Sequence, residues 1–316
     1  MTDIVVVGSI NVDLTSYLAR WPGIGETVSA STTRIGLGGK GANQAVSAAR
    51  LDASVTLIAA TGADGFGEDV KRTLEKEGVI LARRSHPTAT TGMAFIDVGP
   101  DGGNIIRLAE GANRTLSSSD IARHADTIAA AKVLLLQNEI PVSASLTAAQ
   151  IARENGVQVI MDPAPAPVPF WSRDTLEAFD IITPNAHETG QILGHAPETL
   201  SDAERAARLL RSFGPRGAIV TMGEVGVAWS IDASTGQMPA PSVRAVDTVG
   251  AGDCFNGALA TGLAAGMPVD DAIERAACAA ALATTQHGAA EAMPRRPELD
   301  EFTIAVTPGI VASNGA

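Results

Sequence analysis

Residues 4–8 open the chain with a β-branched run, Ile4-Val5-Val6-Val7, closed by Gly8. This pattern predicts a short, buried first strand. Residues 9–35 are mixed, with alternating Thr and Ser and a Trp21-Pro22-Gly23 break, as in short strands outside a main sheet. Gly36-Leu37-Gly38-Gly39-Lys40-Gly41 then leads into a helical pattern over 42–51. A strand over 55–60 and a helix over 65–77 follow. Residues 92–109 alternate again, broken at Pro100-Asp101-Gly102, and predict a hairpin. From about 115 onward helix and strand alternate strictly. Helices over 118–130, 143–155, 172–178 and 201–213 lead to strands over 132–136, 157–162, 181–183 and 217–221. Helices over 251–266 and 270–285 come after them, and 306–316, without periodicity, reads as a frayed tail. Short apolar strands joined by helices predict an α/β protein whose mostly parallel central sheet has helices on both faces. The alternating segments 12–35 and 92–109 are expected to meet as a small β-sheet lid over the ligand edge of that sheet, excluding water from a transfer reaction.

Composition narrows the class. The 316 residues allow one large domain or two ordinary ones. With 45% hydrophobic and 18% charged residues, the core needs no disulfide or metal staple. The formal charge of −12 argues against nucleic acid as a partner. It leaves room for a small anion, because backbone amides can bind phosphate within an acidic protein. Cys254 and Cys278 lie in Ala/Gly-rich helical stretches and form no CxxC pair, which predicts reduced thiols and a cytoplasmic protein. No basic segment precedes the first apolar run and no apolar run is long enough to span a bilayer, so neither a signal peptide nor a membrane partner is expected.

Residues 36–41 match G-x-G-x-x-G, but the match stands almost 30 residues after the first strand. A dinucleotide fold places it directly after that strand. Gly-x-x-x-x-Gly-Lys-Ser/Thr is absent, as are a Gly-x-Ser-x-Gly elbow and a His/Cys cluster for zinc. The glycines are expected either to bring backbone close to a polyhydroxy ligand, with Asn43 as a two-way hydrogen bonder, or to form a structural turn. Asp247-Thr248-Val249-Gly250-Ala251-Gly252-Asp253 carries more information. Gly250, Ala251 and Gly252 present amides at a helix start, where an anion or the charge of a phosphoryl transfer would be held. Asp253 either accepts a hydroxyl proton there or only favours its own helix dipole. Asn185 and Glu188, three apart after a strand, suit Mg²⁺ waters and phosphates. Residues 221–226 suit a nucleotide, and Gln137-Asn138-Glu139 and Asp162 add polar groups at the same strand ends.

Two signatures together carry a family resemblance. One is Gly38-Gly39-Lys40-Gly41-Ala42-Asn43-Gln44-Ala45 followed by Gly62-Ala63-Asp64-Gly65-Phe66-Gly67. The other is residues 247–253 with Phe255-Asn256-Gly257. With Gly8-Ser9-Ile10-Asn11-Val12-Asp13 and Thr183-Pro184-Asn185, the chain resembles the ribokinase branch of the PfkB carbohydrate kinases over about residues 3–305. The resemblance implies a three-layer ribokinase-like fold: one kinase domain over 1–305 with a lid from about 12–35 and 92–109. It implies ATP-dependent phosphorylation of a sugar hydroxymethyl oxygen, D-ribose to D-ribose 5-phosphate before fructose, ketodeoxygluconate or a nucleoside. Asp253 is then the general base, with Gly250, Ala251 and Gly252 as the anion hole. Asn11, Asp13, Gly38, Gly39, Asn43 and Glu139 match sugar positions. Asn185 and Glu188 match phosphate and Mg²⁺ positions, and Thr221, Gly223 and Gly226 the nucleotide loop. Asp247, Val249 and carbonyls near Gly288 match a K⁺ site, and the lid implies a homodimer. The chain departs from the pattern at Ala292, where ribokinases carry a serine ligand of that cation, at Val249-Gly250 in place of Thr-Ala, at Asp162 in place of asparagine before Pro163, and at Ala277 near the adenine.

Overall fold

The computed structural model describes residues 2–306 apart from 102, 168 and 169, so the predicted tail lies almost wholly outside the described residues. In chain order the strands are β1 (Ile4–Val7), β2 (Asn11–Leu18), β3 (Ala30–Gly38), β4 (Val55–Gly62), β5 (Ile80–His86), β6 (Gly92–Val98), β7 (Asn104–Ala109), β8 (Val133–Gln137), β9 (Gln158–Asp162), β10 (Ile181–Ile182), β11 (Gly217–Thr221), β12 (Val227–Ile231) and β13 (Ser234–Met238). The larger sheet has the order β13-β12-β11-β10-β9-β8-β1-β4-β5, and the smaller one β3-β2-β6-β7. From β11 to β5 every pairing is parallel; β12 alone is reversed, pairing antiparallel with both β11 and β13.

β1, β4 and β8 are buried at every position. Their side chains alternate between two cores. Ile4 and Val6 join the core beneath helices Lys40–Arg50, Ala251–Ala264 and Val269–Ala283. Val5 and Val7 join the core beneath helices Val142–Glu154 and Leu200–Arg211. A strand covered on both faces must be apolar at every position, which is why these segments read as continuous runs. The result is a three-layer α/β fold.

Small residues set how closely the helices approach. A Cβ on Gly257 would stand 2.5 Å from Ser47 Cβ, so helix Ala251–Ala264 lies directly on helix Lys40–Arg50. That approach carries the first turns of both helices to one place. The large sheet directs them there: the chain leaves β1 towards β4 on one side, while β8 pairs on the other. The connections diverge at the carboxyl ends of β1 and β8, where a ligand crevice forms in open α/β sheets.

In the smaller sheet β2 pairs antiparallel with β3 and parallel with β6, and β6 pairs antiparallel with β7. The two alternating segments therefore meet in space. Other expectations need correction. The helix over 118–130 is two helices, Ser118–Ala122 and Ala125–Ala129, because His124 leaves helical geometry at φ −109°, ψ 17°. β5 carries Arg83, Arg84 and His86 and so lacks an apolar signal, while β12 and β13 follow a segment read only as a loop. Helix Arg296–Val306 was also not anticipated. No helix among the described residues is long and apolar enough to cross a membrane.

Candidate active site

Asn11 and Asp13 leave the beginning of β2, and Asn11 pairs across to Gly38 at the end of β3. Gly39, at φ +89°, caps helix Lys40–Arg50 and turns the chain sharply into it. A Cβ on Gly38 would fall 2.0 Å from the Asp13 carboxylate, and one on Gly39 2.7 Å from the Asn11 amide nitrogen. The glycine pair thus makes room for β2 itself. A turn serving ligand approach alone is a less complete account of it.

The first turn of that helix meets Asp253. Asn43 Nδ2 donates to Asp253 Oδ2 at 2.9 Å, and Gln44 Nε2 donates to Asp253 Oδ1 at 3.2 Å. Asp253 is 5% exposed, and burial, foremost, raises its pKa above the usual carboxylate range. Asn43 Oδ1 is a buried acceptor without a partner among the described residues. Glu139, after β8, accepts from Ser9 Oγ at 2.5 Å and from the Lys40 amide at 3.1 Å. These bonds lie across the carboxyl ends of β1 and β8. Asp13 is pushed up to about 7, first by burial and then by Glu139, Glu291 and Asp253.

Residues given no site role in the sequence analysis hold this end together. Asn113 Nδ2 donates to Asn11 Oδ1 at 2.8 Å, and its Oδ1 accepts from the Ile10 amide at 3.0 Å. Gln137 Nε2 donates to Gln44 Oε1 at 2.7 Å. Lys40 Nζ stands 4.0 Å from Asp162 Oδ2. Burial opposes the charge on Lys40, but Asp162, Asp253, Glu139 and Glu188 outweigh it and raise its pKa. The polar strand ends were the sequence signal for Gln137 and, with the departure from asparagine before Pro163, for Asp162; Asn113, over a hundred residues from Asn11, had none.

Helix Ala251–Ala264 begins at Gly250, in the left-handed region at φ 76°, ψ 0°. The Ala251 amide donates to Thr248 O at 3.3 Å, whereas the Gly252 and Asp253 amides have no backbone acceptor among the described residues. A Cβ on Gly252 would meet nothing within 4 Å, so open space lies over this turn. The three predicted anion-hole residues are together, with the Ala251 amide already engaged. Asn256 braces the turn: its Nδ2 donates to Gly252 O at 3.0 Å and its Oδ1 accepts from Thr183 Oγ1 at 2.8 Å.

Asn185 and Glu188 form a capping box at helix Ala186–Leu193. Each side chain bonds the other's backbone amide at 2.9 Å, which leaves Asn185 Nδ2 and Glu188 Oε1 without a protein partner among the described residues. Asn185 also bridges to Thr221. Gly223, at φ +57°, and Gly226, at φ +132°, lie in the turn from β11 to β12. A Cβ on Gly226 would strike Met238 O at 2.1 Å, so Gly226 is required by the hairpin; around Gly223 the space is open.

Asp247 ties two loops together. Its Oδ1 accepts from the Val249 amide and its Oδ2 from the Gly288 amide, both at 3.0 Å. Ala292 is buried nearby in the short helix Ala290–Ala292 and offers no side-chain oxygen.

Residues 1–296 match the model of the pfkB family carbohydrate kinases. The chain is 38% identical over 300 residues to a ribokinase of Haemophilus influenzae, covering 95% of this chain and 97% of that one. It is 35% identical over 303 residues to a deoxyribokinase of Salmonella typhimurium, covering 95% and 98%. The structure of Arabidopsis thaliana ribokinase complexed with ribose and ATP superposes with a TM-score of 0.87 at 32% identity, covering 96% of this chain and 99% of that one. By its glycine-paired helix starts, its two sheets and its likeness to these proteins, the chain belongs to the pfkB family of carbohydrate kinases.

Proposed function

We propose that the protein phosphorylates D-ribose at its hydroxymethyl oxygen with ATP, giving D-ribose 5-phosphate. The observation that carries this reading is the buried pair Asn43–Asp253, with an unpartnered acceptor on Asn43 and a carboxylate above its ordinary pKa at the start of a helix. Asp253 takes the proton of the attacking hydroxyl. The turn Gly250-Ala251-Gly252, whose Gly252 amide has no backbone acceptor among the described residues, holds the charge of the transferred phosphoryl group. Asn11, Asp13, Asn43 and Glu139 grip the sugar, with Gly38 and Gly39 giving β2 room to place the first two. Asp13, once ionised, accepts from neighbouring hydroxyls more strongly than a neutral acceptor does. The smaller sheet acts as a lid on the single kinase domain.

The donor sets suit the ions that the reaction takes. Asn185 and Glu188 keep an amide and a carboxylate oxygen for phosphate and hydrated Mg²⁺, which neutralises phosphate charge when bound. Thr221, Gly223 and Gly226 border the nucleotide. Asp247, the Val249 carbonyl and the Gly288 loop would hold K⁺ beside the anion hole; Ala292 in place of a serine removes one oxygen ligand, which either weakens K⁺ binding or leaves a place for water. Ile35, Ile105, Ile106 and Leu108 on the smaller sheet are 70%, 52%, 48% and 47% exposed, and a homodimer through the lid covers them. The protein acts in the cytoplasm.

Initial rates with ribose, 2-deoxyribose, fructose, ketodeoxygluconate and nucleosides, each with and without K⁺, test the reading. Ribose is expected to give the highest kcat/KM, and K⁺ to raise it. Negligible turnover of ribose beside turnover of another sugar would overturn the substrate.

A further inference from the structure

Glu291 has no part in the roles assigned above. Ala290 and Ala292, on either side of it, are buried and pin the short helix Ala290–Ala292 to the core, while Glu291 itself is exposed. Arg50 holds the same segment: its Nη1 donates to the carbonyls of Glu291 and Met293 at 2.9 and 2.6 Å. The Glu291 side chain reaches the smaller sheet. A Cβ on Gly36 in β3 would stand 2.9 Å from Glu291 Oε1, and one on Gly288 would stand 2.9 Å from Oε2. The carboxylate therefore fills the space of two missing side chains. Gly36 pairs directly with Asp13, and the missing Cβ of Gly38 points at the Asp13 carboxylate. Residues two apart in a strand share a face, so Glu291 and Asp13 lie against the same side of the lid.

Glu291 acts on Asp13 as a negative charge: burial raises Asp13 most, Glu139 next and Glu291 after it. Among the described residues no hydrogen bond reaches the Glu291 carboxylate. Arg50 also faces it, but Arg50 Nε and Nη2 are taken by Glu77 at 2.8 Å each. The unpartnered, buried Asn43 Oδ1 marks a ligand's place at this end, on a residue bonded to Asp253, which in turn acts on Asp13. We propose that Glu291 is a specificity-determining residue: its carboxylate, set over Gly36 beside Asp13, keeps out acceptors that carry an anionic group opposite their hydroxymethyl end and so reserves the site for neutral polyols. This inference rests on the reading of the site as one where Asp13 grips a small sugar that is phosphorylated at its hydroxymethyl oxygen.

Specificity is a difference of affinities, and a like charge set against the wrong ligand supplies it as well as a contact to the right one. A neutral sugar meets in Glu291 one more acceptor for its hydroxyls. A sugar acid brings its carboxylate to the end that already holds Asp13, Glu139 and Glu291. Lys40 is no counter-charge free for it, being shared among Asp162, Asp253, Glu139 and Glu188. Two like charges about 6 Å apart near a protein surface cost roughly tenfold in affinity.

D-Ribonate and ribitol are the probes, because they share a carbon skeleton and differ in charge at one end. Each is measured as a competitor of ribose in initial rates at fixed K⁺. Glu291→Gln, which keeps the shape and removes the charge, is expected to lower the inhibition constant of ribonate relative to that of ribitol about tenfold. Glu291→Lys is expected to lower it about a hundredfold. Higher ionic strength should narrow the gap between parent and variants, a response that lost packing does not give. A ratio that ignores the charge at position 291, or a Glu291→Lys variant that gains no ribonate binding, would overturn the proposal. The parent keeps the two readings apart. Negligible ribose turnover in the parent sinks the ribose reading; ribose turnover in the parent with a ratio fixed across all three proteins sinks only the role of Glu291.

Discussion

The two sheets are built from similar residue types and are used differently. Every position of β1, β4 and β8 in the large sheet is buried, so each side chain is held from both sides. In the small sheet β7 is exposed along most of its length, and Ile105, Ile106 and Leu108 are each about half exposed among the described residues. Yet the small sheet supplies Asn11 and Asp13. The rigid sheet positions the proposed phosphoryl end of the site through strand ends and helix starts. The open sheet brings the proposed polyol end, where Asp13 shares its surroundings with Glu139, Glu291 and Asp253. One end has amides for an anion and the other an excess of carboxylates, which suits a phosphate donor at one and a neutral polyol at the other.

The largest expected effect tests the rigid end. Asp253→Asn should lower kcat by a factor on the order of 10²–10⁴, the usual worth of a positioned base, while ribose affinity measured by calorimetry stays close to that of the parent. Unchanged turnover would remove Asp253 from the mechanism.

Next comes the framework itself. Leu135 in β8 has no exposed surface, and Leu135→Ala should cost about 2–5 kcal/mol in urea unfolding, from lost burial and the cavity left. A loss near zero would mean that the large sheet is less tightly held than its burial implies.

The polyol end should respond in KM. Asp13→Asn is expected to raise the KM for ribose about 10- to 100-fold with a smaller change in kcat, because a charged acceptor is replaced by a neutral one. In the parent, Asp13 near 7 must lose its proton to grip the sugar, so KM should rise as pH falls from 8 to 6. The stability sign is the reverse. Folded Asp13 keeps a proton that the unfolded chain has lost above about pH 4, so its contribution to stability falls as pH rises from 4 to 7. Asp13→Asn should therefore melt higher than the parent by a margin that widens across that range; a constant margin would contradict the assignment.

The smallest effect lies on the open sheet. Ile106→Ser should change monomer unfolding by no more than about 0.5 kcal/mol, as expected of a surface substitution. If the lid is the dimer contact, the same variant should shift sedimentation towards the monomer. A dimer of unchanged strength would move the contact elsewhere.

The parallel sheet was legible because burial on both faces leaves a continuous apolar run, as in Ile4-Val5-Val6-Val7. β5 was not, because an edge strand can carry Arg83 and Arg84 outward, and β13 was not, because Ser, Thr, Gly and Gln suit an edge as well as a loop. Gly250 and Gly252 were legible as a turn into a helix. Gly226 was read towards a nucleotide, and its closest constraint is the backbone of β13. Asn185 and Glu188 were read towards phosphate; the capping box engages only half of what they offer.

Sequence alone determined the strand–helix alternation, the glycine-marked helix starts and the acidic and amide residue types of the site, because these depend on local period and local backbone freedom. Only the tertiary structure decided which polar residues share one pocket. Asn43, Gln44, Asp162 and Asp253 are joined by bonds between residues 118 to 210 positions apart, and those bonds exist because Gly257 and Ser47 let two helices lie in contact. Spacing along a chain records no such distance, and so the bond from Gln44 to both Asp162 and Asp253 exists only in the fold.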